Sequence, residues 1–205
     1  MKQLKIKINK SENDLHYIHH SDNFLIFFPG SSGAAESDRF SFLNEIAKNA
    51  NYSLVKYNYL FLKNEDDYVL QDAIDEIDQV VDYVKLDLGA KKIVIVAKSI
   101  GAFFAECSLV NADKFIFLGP LLRQNDEGYK HLLECKLSDI SAKNLFVKTS
   151  QIKNISTLVI CGDKDVFISK YPSFFSVKII PDETHSLENK GTRELLIKYI
   201  TEFLD

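Results

Sequence analysis

A serine, an aspartate and a histidine are the residues of this chain best suited to do chemistry together. Ser99 stands in Val96-Ala97-Lys98-Ser99-Ile100-Gly101-Ala102, between an apolar run and an apolar helical stretch, with small residues two positions to either side. A nucleophile raised on a tight strand-to-helix turn needs such neighbours, because larger side chains would meet the adjoining backbone. The helix beyond it would aim free N–H groups and a positive dipole end at a developing oxyanion. A serine at a helix start is also a common N-cap, so this segment alone leaves both roles open. Asp165 lies in Gly162-Asp163-Lys164-Asp165, and His185 ends Asp182-Glu183-Thr184-His185. Nucleophile, carboxylate and imidazole make up the set needed for acyl transfer through a covalent intermediate.

Phosphate chemistry fits less well. Lys98-Ser99 looks like the end of a Walker loop, but Ala97 and Lys92 occupy positions where that motif requires glycine. Gly30 and Gly33 lack the spacing of a dinucleotide fingerprint. His16, His19 and His20 suggest metal ligation, yet they sit on a predicted edge strand with no carboxylate pattern, so no metal site is expected. His131 reads as part of a solvated helix. Cys107 and Cys161 read as small core residues, and Tyr57 and Tyr59 as packing residues near the site.

The elements that must position these side chains alternate in period. Leu4, Ile6 and Ile8 alternate with polar residues, as in a half-exposed edge strand, and a turn is expected at Ser11 to Asp14 before a weak strand over Leu15 to His19. Asn23 to Phe28, Ile93 to Ala97, Phe115 to Leu118 and Thr157 to Cys161 read as buried strands, Tyr52 to Leu62 as a further strand and Val177 to Ile180 as the last one. Helices are predicted over Glu36 to Asn49, from Leu70 through Val84, over Ser99 to Val110, and at the C-terminus around Leu195 to Phe203. Such alternation implies βαβ crossovers and an α/β fold: a three-layer αβα sandwich with a mostly parallel twisted sheet and an antiparallel N-terminal edge hairpin. Ligands bind beyond the carboxyl ends of such strands, which is where Ser99, Asp165 and His185 all fall.

In this order, serine then aspartate then histidine on successive strand ends, the chain resembles the α/β-hydrolase family over nearly its whole length. The resemblance implies Ser99 as nucleophile, His185 as base and Asp165 as the acid orienting it, with Asp163 the nearby alternative. It also implies an oxyanion hole from the backbone N–H groups of Ser31 and Ile100. Two departures stand out: Ala97 replaces the glycine usual at the elbow, and the oxyanion loop reads Phe28-Pro29-Gly30-Ser31 where His-Gly is commoner. Proline has no N–H, but the implied donor is Ser31.

The implied activity is a serine esterase-type hydrolase of a small or exposed acyl substrate, the alternative being a non-catalytic binder of the same fold. One domain over 1–205 is expected, with a short lid-like insertion at about 119–155. Leu121, Leu122 and Tyr129 are candidate pocket residues, and no cofactor is implied. Composition narrows the partners. The 25 Lys+Arg and 29 Asp+Glu are interspersed and give a net charge of −4, so no basic face suits nucleic acid. The start alternates charge with hydrophobe, without the apolar stretch of a signal peptide, and no run is long enough for a membrane span. Three widely spaced cysteines do not suggest a disulfide framework, and a cytoplasmic location is expected.

Overall fold

Each buried strand sorts its side chains by parity. Phe24, Ile26 and Phe28 point to one face of the sheet, and Leu25 and Phe27 to the other. Ile93, Ile95 and Ala97 likewise oppose Val94 and Val96, and Phe115 and Phe117 oppose Ile116 and Leu118. A strand that is apolar on both sides must be covered on both sides, which dictates three layers. The computed structural model describes residues 2–8, 11–31, 34–59, 70–108, 112–121, 155–167, 171 and 173–205.

Among the described residues, eight strands form one sheet: β1 (Lys2–Ile8), β2 (Ser11–Ile18), β3 (Asn23–Phe28), β4 (Ser53–Tyr57), β5 (Lys92–Lys98), β6 (Lys114–Leu118), β7 (Ser156–Gly162) and β8 (Ser176–Ile180). Their spatial order is β1-β2-β4-β3-β5-β6-β7-β8. β1 and β2 are antiparallel to each other, β2 is antiparallel to β4, and every other neighbour pair is parallel. The α/β fold with an antiparallel N-terminal edge is therefore present as expected.

Among the described residues, four α-helices cover the sheet. α2 (Leu70–Leu86) and α3 (Ile100–Ser108) lie on one face, where Ala73, Ile77, Val80 and Val84 join Phe103 and Phe104 in the core. α1 (Phe42–Asn49) and α4 (Thr192–Leu204) lie on the other, burying Leu43, Ile46, Leu196 and Ile200. The chain runs from β3 outward to β4, then back past β3 to β5. This reversal opens a crevice between the ends of β3 and β5, the usual location of a binding site in an open α/β sheet.

Several boundaries differ from the sequence reading. Ser11 to Asp14, expected as a turn, belong instead to β2 and pair with β1 from Ser11 opposite Ile8 to Asp14 opposite Lys5. Asn13 is buried and its amide donates to the Tyr57 hydroxyl at 3.0 Å and the Asn58 carbonyl at 2.9 Å. Those long-range bonds outweigh the turn preference of Asn and Asp. The helix expected over Glu36 to Asn49 is split into a 3₁₀ turn, Asp38–Phe40, and α1. Phe40 and Phe42 are both buried, a two-residue spacing that no continuous α-helix can bring to one face. The strand expected over Tyr52 to Leu62 is shorter, ending at Tyr57; positions 60–69 lie outside the described residues. No helix among the described residues is long and apolar enough to cross a membrane.

Candidate active site

The crevice between β3 and β5 is floored by a strained serine. Ser99 has φ +55°, the left-handed region that side chains with a Cβ avoid. Its N–H donates to the Leu118 carbonyl at 3.1 Å, and its own carbonyl accepts the N–H of Ala102 at 3.0 Å and that of Leu121 at 3.2 Å. The surrounding backbone thus fixes a conformation that the residue alone would not hold. The Ser99 hydroxyl faces the His185 ring. Gly30 lies against the serine: a β-carbon on Gly30 would stand 3.0 Å from the Ser99 Cβ and 3.7 Å from its Oγ.

His185 reaches this serine from the loop after β8. Its Nε2 lies 2.8 Å from the Ser99 Oγ, and its Nδ1 lies 2.9 Å and 3.1 Å from the two carboxylate oxygens of Asp165. An ionised carboxylate can only accept, so Nδ1 carries the ring proton and Nε2 is left to accept from the serine hydroxyl. Asp165 is buried, and its Oδ1 also accepts the Phe167 N–H at 2.9 Å. Burial alone would push its carboxyl up. The His185 hydrogen bond, the Phe167 N–H and the nearby His185 and Lys98 charges outweigh that, holding it below the usual carboxylate range. Asp163 is exposed, with its N–H donating to the Ile180 carbonyl at 3.1 Å. Of the two aspartates, only Asp165 meets the histidine.

The histidine loop is itself anchored. Glu183 is fully buried and its carboxylate accepts the N–H of Thr184 at 2.8 Å, the N–H of Asn189 at 2.9 Å and the hydroxyl of Thr192. Burial favours its neutral form, but these donors prevail and hold it below the ordinary range. The Lys164 N–H donates to the Glu183 carbonyl at 2.9 Å, tying the loop of Asp165 to the loop of His185. The Phe167 ring stands edge-on to the imidazole with centroids 4.8 Å apart.

The remaining expected residues are placed as follows. Ser31 directly follows Gly30 at the crevice, and Ile100 is the first residue of α3, where a backbone N–H has no partner within the helix. Leu121 is fully buried in the core, and its N–H braces the elbow through the Ser99 carbonyl. Leu122, Tyr129, His131 and the third cysteine, Cys135, lie outside the described residues, as does most of the expected insertion. Tyr57 and Tyr59 are buried beside Phe28. Cys107 and Cys161 are both buried. His16 faces Glu36 at 3.8 Å, and the His19 Nδ1 lies 2.8 Å from the Tyr17 hydroxyl. Among the described residues no group of three or more His, Cys, Asp or Glu could hold a metal ion.

Sequence reasoning missed Lys98, Gly119, Phe167 and Glu183. Only Lys98 left a signal, as a charge closing an otherwise apolar strand directly before the serine.

Strand order, crossover and elbow together define the class: the chain has the α/β-hydrolase fold. Est1E from Butyrivibrio proteoclasticus, solved with ferulic acid bound, is similar at TM-score 0.75 and 15% identity, over 98% of this chain and 97% of that one. An alpha-beta serine hydrolase homologue from Coxiella burnetii gives TM-score 0.72 and 13% identity over 100% and 97%. A serine hydrolase without lid from Xanthomonas campestris gives 0.68 and 13% over 99% and 91%. No protein-family model matches the chain, and no curated protein does.

Proposed function

We propose that this protein is a serine hydrolase that cleaves an ester or related acyl bond. The observation that carries the reading is one imidazole spanning a strained serine and a buried carboxylate, 2.8 Å from the Ser99 Oγ and 2.9 Å from Asp165. Esterases and serine hydrolases among proteins of the same fold agree with it.

His185 Nε2 takes the hydroxyl proton as Ser99 Oγ attacks the carbonyl carbon. The carbonyl electron pair moves onto oxygen, which the N–H groups of Ser31 and Ile100 stabilise. Asp165 keeps Nδ1 protonated and balances the charge of the imidazolium. Collapse of the intermediate expels the alcohol or thiol, which takes the proton from Nε2. Water, deprotonated by the same nitrogen, then releases the acid and restores the Ser99 hydroxyl.

The acyl group is small, or is exposed on something larger. Only 37 residues separate Leu118 from Ser156, too few for a large lid domain. The buried thiols Cys107 and Cys161 suit the reducing cytoplasm.

A fluorophosphonate probe tests the reading, because it labels only an activated serine. Labelling of wild type at Ser99, together with turnover of p-nitrophenyl esters, is the expected result. A folded wild type that neither reacts nor turns over would make the protein a binder.

A further inference from the structure

The reaction above makes no use of Lys98. This residue ends β5 beside the nucleophile and is 7% exposed. Its Nζ donates to the backbone carbonyl of His185 at 2.5 Å. A β-carbon on Gly119 would stand 3.0 Å from that Nζ, 3.2 Å from Asp165 Oδ2 and 3.2 Å from the His185 carbonyl oxygen. Amine, carboxylate and histidine backbone therefore meet around one glycine. Nζ and Oδ2 can be no further apart than the first two of those distances combined.

Lys98 lines a recess together with Phe40, Phe42, Leu118 and Leu196 and with Ser186 to Glu188 of the histidine loop. The Arg39–Glu188 pair, 3.3 Å apart, lines the same recess. A buried ammonium is costly unless opposite charges face it. Asp165 faces it from the loop after β7, and Glu183 and Glu188 from the histidine loop, while Arg39 repels it from the 3₁₀ turn. Burial draws Lys98 down to about 8. It is thus charged over most of the range in which histidines change protonation.

We propose that Lys98 is a positioning residue: its ammonium anchors the backbone of His185 and, as a second cation beside Asp165, opposes protonation of the resting imidazole. The role in turnover rests on the serine-hydrolase reading. The effect on the imidazole does not.

Two substitutions separate anchor from charge. Lys98→Gln retains a donor without the charge, and Lys98→Met retains neither. Both remove a buried cation, which relieves its desolvation. Without that cation an imidazolium between Ser99 and Asp165 has one like charge fewer opposing it, so it forms at higher pH. The acid limb of kcat/KM should move up by about one pH unit in both variants. The plateau should fall further in Lys98→Met, because the His185 carbonyl then loses its donor. A lysine that only tied down the loop would lower the plateau and leave the limb in place.

NMR titration of the His185 ring C–H, identified by its loss in His185→Gln, reads the same shift without any turnover. If wild type fails to react with fluorophosphonate, the hydrolase reading falls and the titration still decides the role of Lys98. A Lys98→Gln midpoint within about 0.2 pH unit of wild type would overturn the proposal, since a removed neighbouring charge must shift it more than that.

Discussion

The carbonyl oxygen of Pro29 lies 2.4 Å from where a β-carbon on Gly101 would stand, and that of Phe28 lies 2.9 Å away. The loop after β3 and the first turn of α3 are thus in direct contact, with room for hydrogen only. Gly101→Ala should push this loop away from Ser99 and destabilise the fold by about 1–3 kcal/mol, the usual cost of overpacking. Thermal melting and ester turnover should both decline. An unchanged melting temperature with full activity would show that the loop yields freely.

The strain at Ser99 predicts opposite effects on stability and activity. A residue with a side chain held at positive φ costs of the order of 1–3 kcal/mol, and glycine escapes that cost at about 0.5–1 kcal/mol of chain entropy. Ser99→Gly should therefore melt above wild type while losing probe labelling and turnover. Ser99→Ala should be inactive without the gain in stability. Retained turnover in either purified variant would refute the assignment of the nucleophile.

The two aspartates of the β7 loop should rank clearly. Asp165→Asn presents the wrong hydrogen-bonding partner to Nδ1 and should lower kcat at least about 100-fold, a cautious figure beside the roughly 10⁴ lost in a serine protease. Asp163→Asn, at an exposed position, should cost less than about tenfold, or 1.4 kcal/mol. Steady-state kinetics on the pair decides this, and the reverse ranking would move the acid to Asp163.

Acid should act on this site in two stages. Glu183 and Asp165 both lie below their ordinary range, so the stability they provide is present above their unfolded values, about 4.3 and 3.9. It is lost only as pH falls through the lower folded values. Between about pH 5 and 8 both remain charged, and kcat/KM should climb there as the histidine base becomes neutral. Loss of cooperative structure around the histidine loop should follow only at lower pH, in melts taken from pH 5 downward. Activity flat from pH 5 to 8 would exclude a histidine base.

Sequence alone determined much of the layered fold and the three polar side chains on its strand ends. Those signals are local: apolar runs such as Ile93 to Ala97 report burial on both faces, and small residues around Ser99 report a crowded turn. The split before Phe42 and the extension of β2 through Asn13 needed the tertiary structure, because Phe27, Tyr57 and Asn58 supply the partners from other strands and loops. The same holds for Asp165 over Asp163, for Glu183 beneath the histidine loop and for Lys98 behind the imidazole. Periodicity is set by a residue's immediate neighbours along the chain. Which loops touch is set by strand order, and only the placement of β5 between β3 and β6 brings residues 86 positions apart within a hydrogen bond.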